Sequence, residues 1–474
     1  MLAVFSSIRR FGVVTSIALC LTWNIAPLCA QAATAPIAPD TTSPAESAET
    51  MGLIAQAQVD QKAGRYAVAL ALLQMLPATP PTDTDARLLQ LAIADVQSAW
   101  ASSLLDSNPT QAINHDQAAL VIDRSLRPVQ AASDLTDLGV SYCLLGEYAK
   151  AIDFYQQALH LHQQIGDEGG VARTLVNLGN SYRVLNQSRI ALGFFQRALI
   201  IYRKVGKKVD EADTLKDIGS TYRSLNQPSK AVDFYREALP IYIKVANADG
   251  KTSTLEDMGN AYLDLGNIIL SKSLHIEALD IFQQALNVFK EAGDKNGQGR
   301  ALNNLGNDCN ELGQYSKAIG FLQQALPLLQ RAGDRVGQAD TLLNIGRAYC
   351  YLHQYDKPID CEQQALHIFQ QVGDESGQAK TLVNMGDFYY SLSQYVKAIG
   401  LFQQALPMFQ KVGDANGQAI AANDLGNSYR SLGQYSKAIS FYQQALRIFR
   451  QVGDKAGQAE ALNGMKTSQN HHSH

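Results

Sequence analysis

The sequence predicts an all-α protein built from repeated antiparallel helix pairs, and two observations lead to this fold class. The stretch "LGQYSKAI" occurs at 312–319 and again at 432–439. Periods of 20–50 residues are typical of stacked repeat units, and apolar residues inside each unit follow a helical spacing. The period of about 40 residues is marked by a glycine that follows Leu, Ile or Met, at Gly139, Gly179, Gly219, Gly259, Gly306, Gly346, Gly386 and Gly426.

The unit over residues 300–334 predicts two helices. A first apolar stripe recurs every three or four residues, at Leu302, Leu305, Cys309 and Leu312. A second stripe follows a Gly-Gln turn, at Ala318, Leu322, Ala325 and Leu329. The unit closes on Gly-Asp, in which the glycine suits a helix C-terminus and the Asp can accept the free N–H groups of the next helix. The same acidic closure stands at Asp334, Asp374, Asp414 and Asp454.

The first 32 residues have the layout of a secretory signal peptide. Arg9 and Arg10 precede an apolar run over 11–23, and small residues at 30–32 offer a cleavage site. We therefore expect export, periplasmic or secreted, and no membrane span after cleavage. The alternative is a retained membrane anchor, although Asn24 and Pro27 interrupt the run before the 20 or so apolar residues that a span needs. Residues 33–50 are rich in Ala, Pro, Thr and Ser and predict a disordered linker.

The rest of the chain divides by how well it keeps the repeat. Residues 51–130 predict a degenerate helical region, in which 63–76 is similar to a second helix of the unit. Residues 131–466 hold eight repeats and a capping helix that covers the last apolar face, and 467–474 predict a disordered tail. One unit is 47 residues long. Its seven extra residues, "NIILSKS" at 267–273, are expected to lengthen the turn between its helices.

These repeats resemble the tetratricopeptide repeat. The residues that carry the resemblance follow L-x2-(L/I)-G-x2-Y, then an A-x3-(F/Y)-x2-A-L second helix, almost throughout 175–199 and 421–446. The 40-residue unit is similar to the units of kinesin light chains, cell-polarity adaptors and bacterial arrays. This resemblance implies a right-handed superhelical solenoid whose first helices line a concave groove. The first-helix Trp of the family is Leu in this chain, as at Leu175, and Ala422 in the last copy.

Composition and motifs argue against several classes of function. The chain carries 40 Lys and Arg against 44 Asp and Glu, so it has no basic excess of the kind that nucleic-acid binding requires. It lacks the hydrolase GxSxG, the zinc-protease HExxH and the glycine loops that hold nucleotides. No CxxC pair suggests zinc or redox chemistry. The sequence predicts no enzyme activity, no cofactor and no metal.

A polar stripe accompanies the apolar one. Two residues before each repeat glycine the chain places Asn or Asp, and asparagine costs up to roughly 0.7 kcal/mol against alanine in a helix. Carboxamides that donate and accept can hold the backbone of an extended peptide, and the resemblance places them in the groove. Nearby cations could select acidic side chains. The candidate peptide-binding residues are Asn177, Asn180, Arg183, Lys216, Arg223, Asn303, Asn304, Asn307, Asn344, Arg347, Asn384, Asn427 and Arg430.

Two other interpretations of the stripe stay open. The asparagines could bond neighbouring first helices and stiffen the array, or they could reflect recent duplication of the repeat. We expect a non-catalytic interaction scaffold that binds a protein or peptide in its groove. A small-peptide sensor, a receptor subunit for a separate catalytic chain and a cell-envelope assembly factor are the alternatives.

Overall fold

The computed structural model describes residues 44–76, 83–354 and 356–472. The predicted signal peptide and residues 33–43 of the predicted linker lie outside these ranges. The described residues form helices, turns and no strand, which confirms the all-α prediction. The chain divides into two compact units, residues 1–181 and 182–474.

The first unit contains a helical region and the first regular repeats. Two apolar clusters stabilise this unit, one around Leu73 and Val96 and one around Leu135 and Leu138. Its helices are α1 (Pro44–Lys62), α2 (Tyr66–Gln74), α3 (Asp83–Leu104), α4 (Pro109–Leu126), α5 (Pro128–Leu144), α6 (Tyr148–Ile165) and most of α7 (Glu168–Val184).

The second unit holds most of the regular helix pairs. After the end of α7 its helices are α8 (Ser188–Val205), α9 (Lys208–Ser224), α10 (Pro228–Lys244), α11 (Ala248–Leu270), α12 (His275–Ala292), α13 (Lys295–Glu311), α14 (Tyr315–Ala332), α15 (Arg335–Tyr351), α16 (Asp356–Val372), α17 (Glu375–Ser391), α18 (Tyr395–Val412), α19 (Ala415–Ser431), α20 (Tyr435–Val452) and α21 (Lys455–His472).

The repeat glycines set how closely the two helices of a pair approach. A Cβ atom on Gly306 of α13 would lie 2.4 Å from Leu322 Cγ of α14. Nearer the start of α13, a Cβ atom on Gly299 would lie 2.7 Å from Leu329 Cγ. The start of α13 therefore meets the end of α14, so the pair is antiparallel, as the sequence predicts.

The ends of the helices follow the predicted signals. Asp334 begins α15 and accepts a hydrogen bond from the backbone N–H of Gly337 at 2.8 Å. Asp374 and Asp414 begin α17 and α19 in the same way. Gly333 ends α14 with a φ of 73°, a left-handed conformation that glycine adopts without a steric penalty.

Three sequence expectations are wrong. The linker does not reach residue 50, because α1 begins at Pro44. The tail is helical as far as His472, because the capping helix α21 continues through it. The insertion at 267–273 lengthens the first helix rather than the turn, so that α11 has 23 residues. Ile269 and Leu270 of this insertion pack against the core of the second unit, which favours a longer helix.

Candidate functional site

In the second unit, polar side chains near the repeat glycines form hydrogen bonds between successive first helices. We call this stripe the first-helix face: the side chains around the repeat glycines of α9, α11, α13, α15, α17 and α19. Asn303 Oδ1 accepts hydrogen bonds from Thr341 Oγ1 at 3.1 Å and from Asn344 Nδ2 at 3.2 Å. Asn310 Nδ2 donates to the backbone oxygen of Asn344 at 2.9 Å. These asparagines therefore connect one repeat to the next.

The predicted cations of this face also have partners in the chain. Arg347 donates to the Asn307 side chain and forms an ion pair with Glu311 at 2.8 Å. Arg223 forms an ion pair with Asp264 of the next repeat. Internal carboxylates neutralise these two guanidinium groups. The two arginines therefore attract an acidic ligand less strongly than the sequence suggests.

The other cations lie beside internal groups as well. Lys216 Nζ donates to Ser253 Oγ at 3.0 Å. Arg183 is half-buried. Burial raises the pKa of Asp217 to about 6, and the charges of Arg183 and Lys216 limit that rise. Arg430 is also half-buried, and its charge lowers the pKa of Tyr442, which burial otherwise raises.

Two of the predicted asparagines of the second unit differ from the others in that unit. Asn384 is exposed and Asn304 is half-buried. Neither side chain forms a hydrogen bond within the part of the chain that the structure describes. By contrast, Asn427 Oδ1 accepts a hydrogen bond from the Tyr442 hydroxyl at 2.8 Å. Asn304 and Asn384 are therefore the predicted residues of the second unit whose amides are available to a ligand.

The remaining two candidates, Asn177 and Asn180, belong to the first unit. Both are half-buried on α7, and the backbone oxygen of Asn177 accepts a hydrogen bond from Ser181 Oγ at 2.9 Å. The predicted set is thus divided between the two units, and the second unit holds most of it.

One acidic residue of the second unit was missed by sequence reasoning. Glu362 on α16 is 5% exposed. Burial and the neighbouring charge of Asp387 raise the pKa of Glu362 to about 8. The repeat register could have found it, since Glu362 stands 40 residues after the buried Leu322.

The residues described by the structure contain no group of three or more His, Cys, Asp or Glu side chains placed to hold a metal ion. No described helix is both long and apolar enough to cross a membrane.

Comparison with known families gives one match. The model of the tetratricopeptide repeat matches residues 130–204, 170–244, 257–331 and 377–451, together more than half of the chain. No curated protein matches the chain significantly in sequence.

Solved structures with a similar arrangement of helices include the following three proteins. BtubC from P. vanneervenii is 21% identical over 50% of this chain and 92% of its own, with a TM-score of 0.37. Aspartyl phosphate phosphatase F from Bacillus subtilis is 16% identical over 79% of this chain and 96% of its own, with a TM-score of 0.38. The quorum sensor NprR from B. thuringiensis is 14% identical over 77% of this chain and 98% of its own, with a TM-score of 0.39.

Proposed function

Because this chain belongs to the tetratricopeptide repeat family, we propose that it is an exported, non-catalytic interaction scaffold that holds an extended polypeptide on its first-helix face. The observation that carries the proposal is the contrast between Asn304 and Asn384, whose amides have no partner among the described residues, and the bonded Asn303. A carboxamide can donate to a peptide carbonyl and accept from a peptide N–H. Amides placed at repeat spacing suit a backbone that runs along the face.

The bonded residues support the same surface in a different way. Asn303, Asn310 and Arg347 connect successive first helices, so they hold the ligand-facing amides in register. Pre-ordering a binding surface lowers the cost of association. The two interpretations of the asparagine stripe, binding and stiffening, thus apply to different members of it.

The test uses the full chain and a library of random-sequence peptides. Replacing Asn304 and Asn384 with Ala removes two amides, each worth roughly 0.5–1.5 kcal/mol net. We expect peptide affinity to fall about ten-fold to a hundred-fold, since 1.4 kcal/mol is a factor of ten. The melting temperature should hold or rise slightly, because alanine is the better helix former.

Asn303→Ala is the matched comparison, one residue away on the same helix. It removes the acceptor of Thr341 and Asn344, so it should lower the melting temperature and weaken the affinity of the folded protein less than the double variant does. Unchanged affinity in the Asn304 and Asn384 double variant would refute the proposed role of these amides. A wild-type chain that retains no peptide would refute the proposed function.

A further inference from the structure

A groove between the last two helices of the second unit, α20 and α21, is lined by apolar and basic side chains. Its volume is about 490 Å³. The residues that line it are Gln443, Leu446, Arg447, Arg450, Leu462 and Met465. A Cβ atom on Gly457, near the start of α21, would lie 2.5 Å from the ring of Phe449, near the end of α20. A Cβ atom on Gly464 would lie 2.5 Å from the ring of Tyr442, so the two helices are antiparallel.

Two apolar residues of α21 are less buried than their equivalents in the preceding first helices. Leu462 and Met465 are half-buried. The equivalent residues in α19 and α17 are buried, namely Ala422, Leu425, Leu382 and Met385. In α19 these positions share a core cluster with Tyr442 and Ala445 of the second helix α20. No described helix covers the same positions of α21, so Leu462 and Met465 leave an apolar surface with room for one more helix.

The cations beside this surface have no partner in the described part of the chain. Arg447, Arg450 and Lys466 are exposed, and none of them forms an ion pair or a side-chain hydrogen bond there. The helix α20 contains no Asp or Glu. Glu460, the acidic residue of α21, accepts a hydrogen bond from Asn423 Nδ2 at 2.8 Å. The surface is therefore basic in a chain whose acidic residues outnumber its basic ones.

An earlier repeat shows what an arginine at the position of Arg450 binds. Arg203 of α8 stands at this position of the repeat. It forms an ion pair with Glu211 of the next first helix, α9, at 3.3 Å. It also forms an ion pair with Glu237 of the next second helix, α10. The arginine thus connects its own helix to both helices of the following pair.

Arg450 lacks both of these carboxylates. The position of Glu211 is taken by Gln458 of α21, whose side chain donates to a backbone oxygen of α20 at 3.2 Å. The position of Glu237 belongs to a second helix, and none follows α21 among the described residues. A helix that lies against α20 as α10 lies against α8 would bring an acidic side chain to Arg450.

Lys466 restricts which helix fits. It stands at the position of the repeat glycine, which is Gly426 in α19. A Cβ atom on Gly426 would lie 2.7 Å from the Tyr442 ring, so a ring fits at this position only when it faces a glycine. A helix that covers α21 has no room for such a ring. A carboxylate in its place would pair with the Lys466 ammonium group.

We propose that the groove between α20 and α21 binds an acidic amphipathic helix of a partner protein. The apolar stripe of this helix covers Leu462 and Met465, and its carboxylates pair with Arg447, Arg450 and Lys466. Charge-assisted hydrogen bonds of this kind are about twice as strong as neutral ones. The groove consists of other residues than the first-helix face, so the partner helix is a second ligand beyond the proposed function.

The experiment uses the full chain and two pools of peptides that a hydrocarbon staple holds in a helix. Both pools carry the same apolar stripe of Leu and Ala. Their remaining positions are a random mixture of Glu and Ser in the acidic pool and of Gln and Ser in the neutral pool. We expect the wild-type chain to retain the acidic pool about ten-fold more strongly, because two exposed ion pairs together contribute a factor of that order. The preference should weaken as salt is added, because salt screens exposed charges.

Paired variants locate the preference. Arg447→Gln combined with Arg450→Gln should remove it. The matched control is Lys244→Gln combined with Arg331→Gln, which removes the same charge from exposed positions near the ends of α10 and α14. This control should keep the preference. Met465→Ser should weaken retention of both pools, because it removes apolar contact area.

Hydrogen exchange of the wild-type chain locates the bound helix without any substitution. With the acidic pool bound, the backbone amides of α20 and α21 should exchange more slowly, and those of α13, α15 and α17 should not change. This measurement also decides the question if the double variant does not fold. Slower exchange confined to α13, α15 and α17 would place the peptide on the first-helix face and refute the groove.

Equal retention of both pools by the wild-type chain would overturn the proposed site. A preference that survives in the Arg447 and Arg450 variant would do the same. Failure to retain either pool overturns the site and leaves the proposed function standing, because that function concerns extended peptides on other residues. Self-association of the wild-type chain that the Arg447 and Arg450 variant abolishes would make the occupant a second copy, and would overturn the assignment to a partner protein.

Discussion

Most repeat glycines contact a large side chain from the second helix of their own pair. In the regular case a Cβ atom on Gly306 would lie 2.4 Å from Leu322 Cγ and 3.2 Å from the backbone oxygen of Ala318. Beside Glu362, a Cβ atom on Gly346 would only make ordinary contacts at 3.5 Å or more. The residue of the second helix that faces a repeat glycine thus decides whether this glycine can be replaced by alanine.

This difference predicts opposite effects of the same substitution. Gly306→Ala should overpack the contact with Leu322, at a cost of about 1–3 kcal/mol. Gly346→Ala has room and gains roughly 0.8–1.0 kcal/mol of helix propensity. Thermal unfolding of both variants should show a raised melting temperature for Gly346→Ala and a clearly lower value for Gly306→Ala. Equal shifts would contradict the packing described for α13 and α14.

Glu362 predicts a pH dependence of stability. Its pKa is about 8 in the folded chain against a usual value of 4.5, so between these pH values the folded state binds a proton that the unfolded state releases. Its contribution to stability is therefore lost as pH rises from about 5 through 8. Glu362→Leu restores the apolar residue found at Leu322 and should raise the melting temperature more at pH 8 than at pH 5. An equal gain at both pH values would show that Glu362 does not hold this proton.

Capping aspartates fix the first residue of several first helices, among them α13, α15, α17 and α19. The Asp374 side chain accepts the backbone N–H of Gly377 at 2.9 Å at the start of α17. The following second helix α18 begins at Gln394, whose side chain makes no such hydrogen bond. The two helices of one repeat therefore depend on their first residue to different degrees.

Replacing each of these two residues with alanine tests the difference. Asp374→Ala should cost about 0.5–2 kcal/mol, because it leaves an N–H group of α17 without its acceptor. Gln394→Ala should change stability little. Chemical denaturation of both variants measures the two free energies of unfolding. Similar losses would mean that the Asp374 hydrogen bond contributes nothing beyond the loss of a polar side chain.

Elements and their pairing could be predicted from the sequence because helical periodicity and capping are local signals. The polar face could be predicted only in part. Asn303 and Asn304 are adjacent and chemically identical, yet Asn303 binds Thr341 and Asn344 whereas Asn304 has no partner among the described residues. That difference depends on side chains 38 to 41 residues away in the next repeat. The pattern of residue types within one repeat therefore does not show which asparagine is bonded.

At the scale of the molecule, long-range order arises from contacts between neighbouring repeats. In the second unit, Asn303 and Arg347 link first helices, and Arg203 and Glu237 form an ion pair between α8 and α10. In such arrays stability is approximately a sum of repeat and nearest-neighbour terms. The altered repeat around Glu362 should therefore affect its immediate neighbours most.

We propose that the whole chain is exported, because Arg9 and Arg10 precede an apolar run over 11–23 and small residues stand at 30–32. The mature protein should begin near Ala33, because signal peptides are cleaved after small residues. N-terminal sequencing of the protein from its native host measures this directly. Replacing Ala30 and Ala32 with bulky residues should block cleavage and leave a longer, membrane-associated chain, whereas the same change at Ala38 should not. Intact Met1 on cytosolic protein would refute export, and with it the expectation that the ligand of this scaffold lies outside the cytoplasm.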